Sequence, residues 1–258
     1  MEDLDRSREV RGAADAILRA LDAFGLTWDG NIAYQSARTE LYAETLHQLR
    51  QLGLVYPCAC SRKQVARDGR TGPEGPIYSG RCRGGLPPGQ QPRSERIRVP
   101  WEPVIVQDRI HGRIAQQLSD SVGDFVIRRA DKIHAYQLAV VVDDAEQGVN
   151  QVVRGADLLT STPRQVFLQR CLGLPEPAYA HVPLAVDSRG VKLSKSLSAL
   201  PVDPADPVPA LLRVWRFLGQ SRLAPQPATV AEFWTMAIPI WRMADVPRRR
   251  TIDISVLH

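Results

Sequence analysis

Val152-Val153-Arg154-Gly155-Ala156-Asp157-Leu158-Leu159, with Thr162-Pro163-Arg164-Gln165 behind it, stands some forty residues ahead of Lys192-Leu193-Ser194-Lys195-Ser196. Thr162 to Leu172 reads as a helix with Pro163 in its first turn, where a missing N–H costs nothing. The second stretch follows a turn-forming run, Val186-Asp187-Ser188-Arg189-Gly190. Two lysines three apart, interleaved with hydroxyls, suit a clamp on a polyphosphate: lysine supplies a point charge and serine a hydrogen bond to phosphate oxygen. Such donors act best on charge that builds on a leaving pyrophosphate. Taken alone, the pentapeptide reads more readily as a solvated basic loop than as a phosphate clamp.

Outward from these stretches the chain alternates helix and strand signals. Residues 8–24 read as an amphipathic helix, with Ala13, Ile17, Leu21 and Phe24 on one face and Gly25 as the stop. A second helix is predicted over 36–52, capped by Ser36, with Tyr42, Leu46 and Leu49 on its buried side. Strands are predicted at 97–99, 104–107, 113–117 and 124–129. A further strand is predicted at Leu138-Ala139-Val140-Val141-Val142, ended by Asp143-Asp144, because β-branched residues favour strands. After Pro201 come small helices with proline-rich joints at 201–209 and 225–227. Two helices so near the start, followed by strands, predict an α/β domain entered midway.

The chain has 258 residues, 44% apolar and 24% charged, as in an ordinary globular protein with ample core. Its longest apolar runs are far too short to span a bilayer. The opening Met1-Glu2-Asp3-Leu4-Asp5 has no secretory pattern, so a cytoplasmic location with no membrane partner is expected. A formal net charge of +5 favours an anionic partner such as nucleic acid.

Cys58, Cys60 and Cys82 cluster within a stretch where residues 68–94 are dominated by Gly, Pro and Arg. Such a stretch needs an outside source of order, and a cytosolic cysteine cluster points to metal rather than to a disulfide. Three thiolates are one short of a tetrahedral site, and no histidine lies between Cys58 and Cys82. Cys171 reads as a buried apolar residue of a helix.

Lys192–Ser196 resembles the KMSKS loop of class I aminoacyl-tRNA synthetases, with Leu193 in place of Met. The Val152–Leu159 and Thr162–Gln165 stretches are similar to the "VIRGxDL…TPxQ" segment of glutamyl- and glutaminyl-tRNA synthetases. Ala135-Tyr136-Gln137-Leu138-Ala139-Val140-Val141-Val142-Asp143-Asp144 looks like their "YxLAVVVDD" segment, and Glu2-Asp3-Leu4-Asp5 with Arg8 like their "RIEDTDxxR". Only 62 residues follow Ser196, so the chain resembles the short glutamyl-queuosine tRNA(Asp) synthetase family rather than a full glutamyl-tRNA synthetase.

The resemblance implies a class I Rossmann-like catalytic domain over 1–54 and 96–200, a zinc-binding insertion over 55–95 and a small helical region over 201–258. It implies a monomer that activates L-glutamate with ATP and magnesium and transfers it to the queuosine base of tRNA(Asp). It places Lys192, Ser194 and Lys195 on ATP, with both lysines catalytic, and Glu2, Tyr136 and Arg154 on glutamate. Zinc is expected on Cys58, Cys60, Cys82 and Tyr78, with Asp68 or water as the other candidates for the fourth position. For the glutamate residues the competing readings are a structural Arg154–Asp157 salt bridge, core packing of Tyr136 and a frayed Glu2. The relatives open with a strand and a "RFAPSPSGxLHxGxL" stretch that the sequence does not contain, so a sheet lacking its first strand and the front of the ATP site is expected. An enzyme whose start lies upstream, a zinc-stabilised RNA-binding remnant and a fragment of a true glutamyl-tRNA synthetase are the readings this leaves.

Overall fold

The structure, a computed structural model, describes residues 1–193 and 202–254. Its helices are α1 (Ala13–Ala23), α2 (Thr39–Gln51), α3 (Arg62–Asp68), α4 (Leu118–Ser121), α5 (Tyr136–Glu146), α6 (Thr162–Leu172), α7 (Pro207–Phe217) and α8 (Val230–Ala237). The strands are β1 (Val55–Cys58), β2 (Arg70–Gly72), β3 (Gly75–Ile77), β4 (Ser94–Ile97), β5 (Val104–Asp108), β6 (Gly112–Gln116), β7 (Val126–Arg128), β8 (Gln151–Gly155), β9 (Ala178–Val182), β10 (Leu184–Val186) and β11 (Thr251–Asp253).

The main sheet has the order β6-β5-β9-β8. Its β5/β9 and β9/β8 pairs are parallel and its β5/β6 pair antiparallel. An antiparallel sheet β1-β4-β7 lies beside it. Helices α2, α5 and α6 share one core with both sheets, built on Tyr42, Leu46, Leu49, Leu138, Val141 and Leu168. Fully burying side chains of this size contributes about 1.5–3 kcal/mol each. Among the described residues β8 is bonded on one side only, and its Val153 is 64% exposed.

The run 138–142 is a helix and not the predicted strand. Leu138, Ala139, Val141 and Val142 are buried together, a spacing that belongs to a helix face. A short apolar run buried on most sides has no period of its own, so β propensity misleads there. Asp143 and Asp144 therefore continue α5 instead of ending a strand. Asp143 is locked in the core by the Tyr42 hydroxyl at 2.9 Å, Gln35 Nε2 at 2.8 Å and Arg38 Nε at 2.8 Å, which tie α5 to α2 and the turn before it.

Ser36 is not the cap of α2, which starts at Thr39. Its amide and hydroxyl instead donate to Asp3 at 2.9 and 2.6 Å. The first helix begins at Ala13, after Gly12 turns the chain with φ of +79°, so residues 8–12 stay outside it. The strand expected at 97–99 lies earlier, at Ser94–Ile97, and Cys171 is half-buried on α6 rather than enclosed.

In the C-terminal part, α7 and α8 bury Leu211, Trp215 and Phe233 against one another, with Phe24 packed on the cluster. Trp234 Nε1 donates to the Phe24 carbonyl at 2.8 Å. Gly25 both takes a φ of +67° and passes so near Trp234 that a Cβ would meet its ring nitrogen at 2.9 Å. Among the described residues no helix is long and apolar enough to cross a membrane.

Candidate active site

Arg154 lies on β8 opposite His181 on β9. A guanidinium has five N–H donors. Arg154 Nε donates to His181 Nε2 at 3.1 Å, and Nη2 donates to Thr162 Oγ1 at 2.8 Å and to Gln165 Oε1 at 2.6 Å, both from α6. The guanidinium carbon lies 5.5 Å from the Tyr179 ring centroid. Among the described residues three acceptors thus hold the cation, and none takes the two donors of Nη1. The salt bridge to Asp157 that the sequence allowed does not form, because Asp157 pairs with Lys192 instead.

Tyr136 is the first residue of α5, half-buried, and Glu2 and Arg154 both act on its hydroxyl electrostatically. Burial, the charge of Glu2 and other neighbours raise its pKa above the ordinary value. Glu2 is open to solvent at its surface, but nearby protein pushes its carboxyl up against the pull of the terminal ammonium and Arg154. Its segment is not frayed: Asp3 accepts from Ser36, and Asp5 accepts from Arg129 Nη1 at 2.8 Å. The structure therefore brings Glu2, Tyr136 and Arg154 into one electrostatic neighbourhood.

Sequence reasoning missed Asp144. Burial, with Asp143 and Glu2 nearby, pushes its carboxyl up to about 6 against the attraction of Arg154. A carboxylate seen only as the end of a strand gave no signal; the helical turn sets Asp143 inward and Asp144 beside Arg154. Also missed were the Arg154 acceptors His181, Thr162 and Gln165. Thr162 and Gln165 stand in the quoted "TPRQ" stretch, whose three-residue helical spacing puts both on one face.

Lys192 Nζ is 2.6 Å from Asp157 Oδ2, so the two diagnostic stretches meet. A short antiparallel bridge pairs Val186 with Lys192 around a turn where Asp187 Oδ1 accepts the Arg189 and Val191 amides. Ser194 and Lys195 lie outside the described residues.

The Sγ atoms of Cys58, Cys60 and Cys82 all lie within 4.8 Å of one another, with Cys60 and Cys82 at 3.7 Å. The Tyr78 hydroxyl is 3.5 Å from Cys58 Sγ and 3.8 Å from Cys60 Sγ, and it accepts the Cys82 amide at 2.9 Å. Four ligands bound tetrahedrally to zinc at about 2.3 Å sit about 3.8 Å apart, so these separations fit one ion. Asp68, the fallback ligand, is engaged elsewhere by Arg67 and Arg81. Burial raises the Cys60 thiol to about 11. Burial raises the Cys58 thiol as well, but hydrogen bonding with Tyr78, the Cys60 amide and Arg96 brings it below its ordinary value. Arg96 Nε reaches Cys58 Sγ at 3.3 Å, and its guanidinium lies 3.9 Å above the Tyr78 ring, a cation set against thiolate charge.

Residues 1–206 match the family described as tRNA synthetases class I (E and Q), catalytic domain. The chain is 54% identical over 260 residues to a protein of Dechloromonas aromatica named glutamyl-Q tRNA(Asp) synthetase, covering 98% of this chain and 85% of that one. It is 50% identical to a protein of the same name from Neisseria meningitidis, covering 96% and 85%. The fold is that of the glutamate-tRNA synthetase of Elizabethkingia anophelis, with a TM-score of 0.76 at 22% identity, over 98% of this chain. The chain spans 60% of the length of that larger protein. It belongs to the class I tRNA synthetase family for E and Q, in the group whose members are named glutamyl-Q tRNA(Asp) synthetase.

Proposed function

We propose that this chain activates L-glutamate with ATP and transfers the glutamyl group to the queuosine base of tRNA(Asp). The observation that carries the reading is Arg154, a cation held from behind by three neutral acceptors, with two free donors and with Glu2 and Asp144 nearby. Glutamate has an ammonium and two carboxylates, and this site offers a cation for one carboxylate and two acidic groups for the ammonium. Tyr136 supplies a flat wall and a hydroxyl.

The α-carboxylate oxygen attacks the α-phosphorus of ATP, the bond to the bridging oxygen of the β-phosphate breaks, and pyrophosphate leaves. The α-carboxylate loses its charge in that step, so the side-chain carboxylate is the better lasting partner for Arg154. Lys192, Ser194 and Lys195 meet the charge that grows on the leaving pyrophosphate. Magnesium bound with ATP screens phosphate charge. Cys58, Cys60, Tyr78 and Cys82 hold one zinc ion, which orders the Gly/Pro-rich insertion.

ATP–pyrophosphate exchange with glutamate, measured without tRNA, tests the reading. Exchange is expected with glutamate and not with aspartate. Exchange that strictly requires tRNA points instead to a true glutamyl-tRNA synthetase.

A further inference from the structure

Three side chains from three adjacent strands form a row at the carboxyl ends of the parallel part of the main sheet. They are Asp108 at the end of β5, His181 on β9 and Arg154 on β8. Open α/β sheets bind ligands at that end of their strands. His181 is 0% exposed and Asp108 1%. Both side chains are closed off from solvent, and the proposed reaction assigns them nothing.

Their hydrogen bonds determine where the protons are. Asp108 Oδ1 accepts two backbone amides, from Ile110 at 2.9 Å and His111 at 2.8 Å. Asp108 Oδ2 is 2.7 Å from His181 Nδ1. A carboxylate can only accept, so Nδ1 carries the hydrogen. Nε2 then presents a lone pair, which is what the Arg154 Nε–H at 3.1 Å requires. Thr162 Oγ1, also 3.1 Å from Nε2, can send its own hydrogen to the Leu158 carbonyl at 3.1 Å and keep its lone pairs for Arg154 Nη2. A hydrogen on Nε2 would face the Arg154 N–H and push the guanidinium out of place. A neutral imidazole between an anion and a cation also avoids a second buried positive charge beside Arg154.

We propose that the buried Asp108–His181 pair is a positioning device: Asp108 sets the tautomer of His181, which presents an acceptor to Arg154 Nε and so aims the two free Nη1 donors at the substrate carboxylate. This rests on the reading of Arg154 as a glutamate-binding residue. Tyr179 supports the same row from the side, stacking on His181 at 6.2 Å and lying under the guanidinium. Arg154 is thereby fixed in a single orientation before substrate arrives, which limits the ordering lost on binding.

Asp108→Asn tests the device with little change of shape. Its carbonyl must take the place of Oδ1 to keep the two backbone amides, which turns the new NH2 toward His181 Nδ1. His181 then has to carry its hydrogen on Nε2, against Arg154. The KM for glutamate in pyrophosphate exchange is expected to rise on the order of tenfold or more, with the KM for ATP and the maximal rate within about threefold. A second pair of variants covers the case in which Asp108→Asn fails to fold. His181→Gln keeps an acceptor facing Arg154 and a donor for Asp108, and is expected to stay within about threefold for glutamate, while His181→Phe keeps the stacking and loses the acceptor and should match Asp108→Asn. Equal glutamate KM values for the Gln and Phe variants, or a folded Asp108→Asn with an unchanged glutamate KM, overturn the proposal. The nitrogen-15 spectrum of the imidazoles in the full chain, without substrate, separates this from the functional reading: Nδ1–H at His181 is expected in the unaltered protein, and Nε2–H there overturns the device whatever the activity. No exchange by an unaltered chain that shows Nδ1–H counts against the functional reading and not against the tautomer.

Discussion

The Arg154 pocket and the cysteine cluster are ordered in opposite ways. Around Arg154 protein groups answer one another, with the buried Gln165 Nε2 left without a partner among the described residues. The cation meets three acceptors, His181 meets Asp108, and all stand on strands and a helix anchored by the main core. Around Cys58 the donors converge on one another instead, in a small cluster of Tyr56, Cys58, Ala59, Tyr78 and Cys82. Thiols crowded to within 4.8 Å of one another beside a phenol have no mutual attraction comparable to an ion bound by all of them. The first region is held by the folded scaffold itself, and the second, under the proposal that it holds zinc, gains its order from a ligand. A protein can preorganise a site with its own core only where enough apolar surface surrounds it.

Removing the metal should break the comparison most visibly. Structural zinc contributes on the order of 10 kcal/mol to the segment that holds it. Cys58→Ser with Cys82→Ser is expected to take metal content from one zinc per chain to near none and to speed proteolysis within residues 69–94. The KM for glutamate should stay within about threefold if the regions are independent. Unchanged metal content removes the zinc assignment, and a collapsed glutamate affinity removes the independence.

In the core that supports the pocket, Leu46→Ala should cost about 2–5 kcal/mol by urea denaturation, since Leu46 is fully buried between α2 and its neighbours. Zinc content of the folded fraction should not change. A loss of zinc with it would show that the insertion also leans on the main core.

Within the active site, Lys195→Ala is expected to slow maximal exchange roughly a hundredfold, or about 3 kcal/mol, with little change in the KM for glutamate. In the proposed reaction Lys195 meets charge that appears mainly in the transition state. Arg154→Ala should do the reverse and raise the KM for glutamate first, because its partner is charged before and during reaction. Exchange rates varied over glutamate and over ATP separate the two, and a Lys195→Ala enzyme with full maximal rate ends the assignment of that loop.

The smallest effect concerns Asp144. Its carboxyl is raised to about 6 in the folded protein, chiefly by burial, from an ordinary 3.8. The folded state therefore holds this proton more tightly than the unfolded chain. Stability falls as pH rises between those values, and the full penalty is present above the upper one. Asp144→Asn should thus raise Tm at pH 7 by about 2–4 °C, after discounting for partial exposure, and the gain should vanish below about pH 4. It should also weaken glutamate binding. A gain in Tm that persisted at pH 4 would mean the effect is packing rather than charge.

From the sequence alone came the helix at Thr162–Leu172, marked by its proline, and the family, carried by short stretches whose side chains must meet particular chemical groups. The cysteine spacing was enough to bring three thiols together, since a loop of that length can close on one point. The helix at 136–146 was not legible: five apolar residues buried on most sides look the same in a strand and in a helix, and only packing between α2 and the sheets decides. That decision in turn put Asp144 beside Arg154. The acceptors of Arg154 were equally out of reach, because Arg154 and His181 are 27 residues apart and His181 and Asp108 are 73 apart. They meet only through the register of three parallel strands, and neighbouring residues along the chain hold no record of that register.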